Sequence, residues 1–141
     1  MKDIEPCPCG GGAYGTCCGR FHRKEALPDT AEQLMRSRYS AYALGDIEYV
    51  RETWHTSTRP ADLDNAGEAG DVHGQRLKWL GLDVRSHVQP DDTHAEVEFV
   101  ARFKSGGRAG RMHERSRFVR EPAAPGEVPR WWYVDGDVGE R

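Results

Sequence analysis

The sequence predicts an α+β fold in which N-terminal helices pack on one face of a curved antiparallel sheet. Two observations carry this. Hydrophobic residues recur at helical spacing up to about Trp54, and the period switches to two from Gln75 onward. Helical and extended segments also do not alternate, which disfavours a βαβ nucleotide fold and leaves a meander of hairpin-joined strands. A third observation adds a small appendage. All four cysteines (Cys7, Cys9, Cys17 and Cys18) fall within twelve residues near the N-terminus.

The elements follow in order. Four cysteines this close would staple only their own segment as disulfides. In a reducing compartment such a cluster more often binds metal. The spacing is Cys7-Pro8-Cys9, seven residues, then Cys17-Cys18, with glycines at 10, 11, 12 and 15 to let the chain turn tightly around an ion. Four thiolates suit one zinc ion in a closed tetrahedral site with a structural role. His22 is the spare ligand should one of the adjacent cysteines fail to reach. Residues 19–29 read as a basic, proline-punctuated linker with one helical turn. Asp29 or Thr30 caps a first long helix, whose stripe is Ala31, Leu34, Met35, Arg38 and Tyr42 and whose stop is Gly45. Asp46 caps a short second helix with Ile47, Val50 and Trp54 on one side. Residues 55–74 are polar, Gly- and Asp-rich loop with a helical turn near Asp62 to Ala66.

Three or four strands complete the chain. The first alternates Leu80, Leu82 and Val84, and Pro90-Asp91-Asp92 turns it. The second alternates Ala95, Val97, Phe99, Ala101 and Phe103 against Glu96, Glu98 and Arg102. SGGRAG is a hairpin loop, RMHERSRFVRE a third strand, and RWWYVDGD the last, after a proline-rich connection.

Composition excludes several classes. The 141 residues carry a net charge of −3, which argues against a nucleic-acid binder working by bulk charge. No apolar run approaches the ~18–20 residues of a membrane span, and the N-terminus has no signal-peptide h-region, so a cytoplasmic protein without membrane attachment is expected. In residues 1–24, Lys2, Arg20, Arg23 and Lys24 face two carboxylates, a weakly basic segment on an acidic body. No Gly-Lys-Ser/Thr signature follows the glycine-rich stretches, and no nucleophile elbow, HExxH or Ser/His/Asp constellation is present.

The stretch CPCGGGAYGTCC resembles the SEC-C motif, a zinc knuckle also found at the C-terminus of the SecA translocase ATPase. The resemblance implies Cys7, Cys9, Cys17 and Cys18 as the four ligands, with a spacer one residue shorter than usual. Together with LMRSRYSAY, TWH, WLGL, FVARF, ERSRF and WYVDG, it makes the whole chain similar to the bacterial YchJ-like family. That resemblance implies a knuckle over residues 1–24. It implies a cone-shaped, nuclear-transport-factor-two-like body over residues 25–141, with an open pocket and no established activity. A second knuckle carried by some members has no counterpart here.

The third strand supplies the pocket candidates. Met112, Glu114, Ser116 and Phe118 share the apolar face, which makes Glu114 an ionisable group in the core that needs a partner. Arg38 lies on the inward stripe of the first helix, so a bidentate Arg38–Glu114 pair is expected. Tyr39, Tyr42, Trp54, Trp79, Trp132 and Tyr133 are the aromatic candidates for the same cavity, and His55 is a candidate general base. His73, His87, His94 and His113 have no carboxylate partner evident in the sequence. Arg111, His113, Arg115 and Arg117 form a basic stripe on the outer face, with Glu96 and Glu98 expected opposite.

Two functions are carried forward. The first is an interaction or adaptor module whose knuckle recognises a protein partner. On this reading zinc removal loosens residues 1–24 and leaves the cone folded. The second is a small-ligand binder or enzyme using Arg38, Glu114 and His55 in the cone. Cone-type folds often dimerise through the outer sheet face, and analogy extends a homodimer to this chain.

Overall fold

The computed structural model describes residues 2–61, 71–72 and 75–140. The expected helical turn at Asp62–Ala66 and the imidazole of His73 lie outside the described residues. After a 3₁₀ turn at Tyr14–Thr16 come α1 (Cys18–His22), α2 (Ala31–Leu44) and α3 (Ile47–Glu52). The strands are β1 (Asp71–Val72), β2 (Gln75–Asp91), β3 (His94–Ser105), β4 (Arg108–Glu121) and β5 (Arg130–Glu140). They pair antiparallel in sequence order.

Helix boundaries follow local chemistry. The Thr30 hydroxyl accepts from the Gln33 amide at 3.1 Å, and Gly45 closes α2 in the left-handed conformation with φ 77°. The Asp46 carboxylate accepts from the Tyr49 amide and starts α3. The β3–β4 hairpin is tighter than the six-residue loop expected from SGGRAG. Ser105 pairs with Arg108, and only Gly106 and Gly107, both at positive φ, make the turn.

β3 buries Ala95, Val97, Phe99, Ala101 and Phe103, as its alternation requires. β2 departs from its pattern. A register shift between Trp79 and Gly81 interrupts the pairing at Leu80, which is 43% exposed although Leu82 and Val84 pack on the core.

The predicted stripe of α2 is too narrow. Ala31, Leu34, Met35 and Arg38 are buried, but so are Ser37, Tyr39, Ser40 and Ala41, while Tyr42 is half-buried. The reason is a second covering layer. The sheet packs on one side of α2 and the cysteine segment on the other, and Cys7, Cys9, Cys18 and Tyr14 share a single core with Leu34, Met35, Phe99 and Phe118.

The outer sheet face is a ladder of ion pairs. Arg115 reaches Glu96 and Glu98 at 3.3 Å, and Arg117 reaches Asp135 at 2.6 Å and Asp137 at 3.0 Å. His113 Nε2 lies 2.5 Å from Glu98 Oε2. Histidine partners not evident in the sequence therefore exist, supplied by strand pairing for His113 and His94 and by α2 packing on the sheet for His87. His94 pairs with Asp91, and His87 lies 3.9 Å from Glu32. His113, and then Arg115, hold the Glu98 carboxyl below its usual range, and Arg117 does the same for Asp137. A depressed carboxylate stabilises the fold above its unfolded pKa, and that stability is lost as pH falls through the folded value. The melting temperature is accordingly expected to drop between about pH 5 and pH 2. High salt should shrink the drop, since these pairs are exposed. A profile flat to pH 2 would contradict this.

Candidate functional site

The cysteine segment is built as a tight hairpin followed by a helical start. Pro6 bridges to Ala13, the Cys7 amide donates to the Gly12 carbonyl at 2.7 Å, and Gly10 and Gly12 turn the chain at φ 83° and 119°. Cys7 and Cys9 project from this hairpin, and Cys17 and Cys18 from the start of α1. All four sulfurs lie within 4.8 Å of one another. Cys9 Sγ is 3.5 Å from Cys17 Sγ and 3.6 Å from Cys18 Sγ, and Cys17 and Cys18 are 4.0 Å apart. A tetrahedron of metal–sulfur bonds near 2.3 Å has edges of about 3.8 Å, whereas a disulfide needs about 2.05 Å. The four thiols are free, and the arrangement fits a metal ion.

The thiols cannot all ionise together. Hydrogen bonds from Cys18 and Cys9 lower the Cys7 pKa. The same contacts raise that of Cys18, and burial with Cys9 alongside pushes Cys17 up to about 12. Loading the cluster with metal displaces protons, so metal affinity rises with pH. Gly11 is required by close approach. A Cβ there would lie 2.9 Å from Cys17 Sγ and 3.3 Å from Cys9 Sγ. Gly11→Ala is expected to weaken metal retention about tenfold in competition with a chromogenic chelator. Unchanged retention would mean that the hairpin yields freely.

His22 is not drawn into the cluster. Its Nε2 donates to the Ser37 carbonyl at 2.8 Å, which leaves Nδ1 to accept from the Tyr14 hydroxyl at 2.6 Å. Arg36 Nη1 donates to the Cys9 carbonyl at 3.0 Å, and the Ser40 hydroxyl lies 3.3 Å from Cys18 Sγ and 3.5 Å from Cys7 Sγ. Ser37, Ser40 and Arg36 fall off the predicted stripe. Two serines three residues apart on a helix are a weak signal, and only the docked knuckle gives it meaning.

Inside the sheet, Arg38, Glu114, Ser116, Trp54 and Tyr133 converge. The expected bidentate Arg38–Glu114 pair is not formed. Arg38 Nη1 instead donates to the Val50 carbonyl at 2.8 Å and to Thr53 Oγ1 at 2.7 Å. Its guanidinium stacks 4.3 Å from the Tyr133 ring centre and 5.1 Å from that of Trp54. The Val50 carbonyl near the end of α3, which also accepts from the Thr53 hydroxyl at 3.3 Å, lies within its reach, and the Tyr133 ring stands against it. Glu114, 9% exposed, accepts from Ser116 Oγ at 2.5 Å and from the Tyr133 hydroxyl at 3.3 Å. Tyr133 thus joins the two charges through its ring and its hydroxyl. Arg38 is 5% exposed; burial lowers its pKa, and Tyr42, Tyr133 and Glu114 oppose the shift electrostatically.

His55 stands apart from this group. The 53–55 segment bonds β5 through His55 N to Tyr133 O and Tyr133 N to Thr53 O. The imidazole turns outward, with Nε2 2.6 Å from Glu121 Oε1 and Nδ1 2.7 Å from Ser57 Oγ. Among the other aromatic candidates, Tyr39 and Trp79 meet edge-to-face in the core, and Trp132 packs against His55.

The fold and the cluster define a nuclear-transport-factor-two-like α+β domain with an N-terminal four-cysteine centre able to hold a metal ion. Residues 30–136 match the family model described as YchJ, middle NTF2-like domain. The chain belongs to that family, the UPF0225 proteins. It is 64% identical to a UPF0225 protein of Cupriavidus metallidurans, over 96% of this chain and 90% of the relative. It is 62% identical to one of Ralstonia nicotianae, over 94% and 90%. Two solved structures share the fold. A SEC-C motif containing protein from Psychrobacter arcticus has TM-score 0.78 and 30% identity, covering 94% of this chain and 82% of that one. Another from Rhodopseudomonas palustris has TM-score 0.75 and 34% identity, covering 94% and 98%. Among the described residues, no helix is long and apolar enough to cross a membrane.

Proposed function

We propose that the protein is a zinc-bearing interaction module of the cytoplasm whose knuckle presents a binding surface to a protein partner. The observation that supports this is the orientation of the cysteine segment. Its sulfurs lie against Ser40 of α2, and protein thiolates would fill all four coordination positions of a tetrahedral ion, leaving none for a substrate. The ion is then a fold element. The opposite side of the segment is open. Ile4 is 86% exposed at the open end of the hairpin, and Gly10, Gly11 and Gly12 are exposed at its turn. The test is capture from cytosol with three forms of the chain: zinc-loaded, chelated, and zinc-loaded Ile4→Glu. The same protein should be retained by the first and lost by the other two. Equal retention by all three would overturn the proposal.

A second reading rests on Arg38 and Glu114. On this reading Arg38, a buried guanidinium held by neutral acceptors and rings, or Glu114, a carboxylate one phenol away, anchors a small polar ligand. Glu114→Gln should keep the fold and release any small molecule that native mass spectrometry finds on the wild type. Retention of that molecule by the variant would overturn this reading.

A further inference from the structure

The zinc reading above has a consequence for α2. A divalent ion in four thiolates carries a formal net charge of about −2. Placed in the core, that charge needs donors around it. Two come from arginines through the backbone: Arg36 Nη1 to the Cys9 carbonyl at 3.0 Å and Arg20 Nε to the Cys17 carbonyl at 3.2 Å. One hydroxyl reaches the sulfurs themselves. Ser40 is fully buried in the middle of α2, 3.3 Å from Cys18 Sγ and 3.5 Å from Cys7 Sγ.

The neighbouring serine sharpens the point. Ser37 is equally buried, but its hydroxyl is engaged with the Leu34 carbonyl and the Tyr49 hydroxyl, both at 2.7 Å. A helical serine ordinarily returns its proton to a carbonyl of the preceding turn, as Ser37 does. The hydrogen-bond partners of Ser40 are the two sulfurs. A buried hydroxyl needs an acceptor, and a metal-bound thiolate is a charged one.

We propose that Ser40 is a positioning residue of the metal centre, sharing its one hydroxyl proton between the Cys18 thiolate and the more distant Cys7 thiolate and thereby setting how firmly the ion is held. Drawing charge from a thiolate weakens its attack on electrophiles and slows its exchange to a competing ligand. It also anchors the centre to the helix that carries Arg38. Outer-shell partners of this kind alter metal affinity by about 10–100-fold.

The test compares Ser40→Ala, Ser37→Ala and Ser40→Thr on full-length protein loaded with zinc or with Co²⁺. Ser40→Ala should speed zinc transfer to a chromogenic chelator about tenfold or more. In the cobalt form it should move the thiolate-to-metal charge-transfer band to lower energy, because the sulfurs regain electron density. Ser37→Ala loses a buried hydroxyl from the same helix and should leave band and transfer rate unchanged. Ser40→Thr keeps the donor and should retain the wild-type band, which preserves the test if the alanine variant folds poorly. A Ser40→Ala band at the wild-type position with a transfer rate within about twofold would overturn the proposal, as would an equal shift in Ser37→Ala. Wild-type protein that takes up neither ion would overturn the zinc reading itself, and this inference with it.

Discussion

On the proposed metal-bound reading, chelation is expected to lower the melting temperature of the whole chain by roughly 10 °C. Cys7, Cys9, Cys18 and Tyr14 belong to the same core as Leu34, Met35, Phe99 and Phe118. Without the ion, four thiols within 4.8 Å lose the charge that holds them together, and the layer covering Ser37 and Ser40 loosens. A loss of about 3–5 kcal/mol in a domain this size corresponds to this fall, at about 2–4 °C per kcal/mol. Calorimetry with and without chelator reads it. One transition, moved down, is the expected result. A body transition unmoved while only residues 1–24 loosen, as the division of the sequence at residue 24 anticipates, would show that the shared core carries little of the stability.

Removing the Arg38 side chain has the next largest effect. Arg38→Ala is expected to cost about 3 kcal/mol, from the cavity between Trp54 and Tyr133 and from the Val50 carbonyl left with only the longer bond from the Thr53 hydroxyl. Arg38→Met fills most of that volume and removes a desolvated charge, so it should fall within about 1 kcal/mol of wild type. Denaturant unfolding of the pair separates packing from charge. Equal, large losses in both variants would mean that the guanidinium itself holds α2 to α3. The methionine variant should also lose any small polar ligand that Arg38 anchors in the cone.

Much of this was legible in one dimension. The caps at Thr30, Asp46 and Gly45 are local chemistry, and the alternation of Ala95 to Phe103 reads directly as a strand with one buried face. The cysteine cluster is compact in sequence, so its proximity in space was already implied. What failed was contact between distant segments. Arg38 and Glu114 were placed correctly in the interior, but a one-dimensional stripe cannot show that the end of α3 offers Arg38 a carbonyl and a hydroxyl nearer than Glu114. Ser40 lies off the predicted stripe, and the layer that buries it comes from a segment more than twenty residues away, which the spacing within α2 cannot show. Leu80 followed the period until a bulge broke it. The pairs His55–Glu121 and His113–Glu98 depend on strand register and on the 53–55 bridge to β5, neither of which periodicity encodes.

A closed, metal-filled site of four cysteines within the core would carry its ion through purification. Native mass spectrometry of protein purified from a bacterial cytosol without added metal tests it most directly. The predicted result is one zinc ion per chain, with all four cysteines reduced. A metal-free chain lighter by two or four hydrogens would mean that Cys7, Cys9, Cys17 and Cys18 are oxidised to disulfides, and would contradict it.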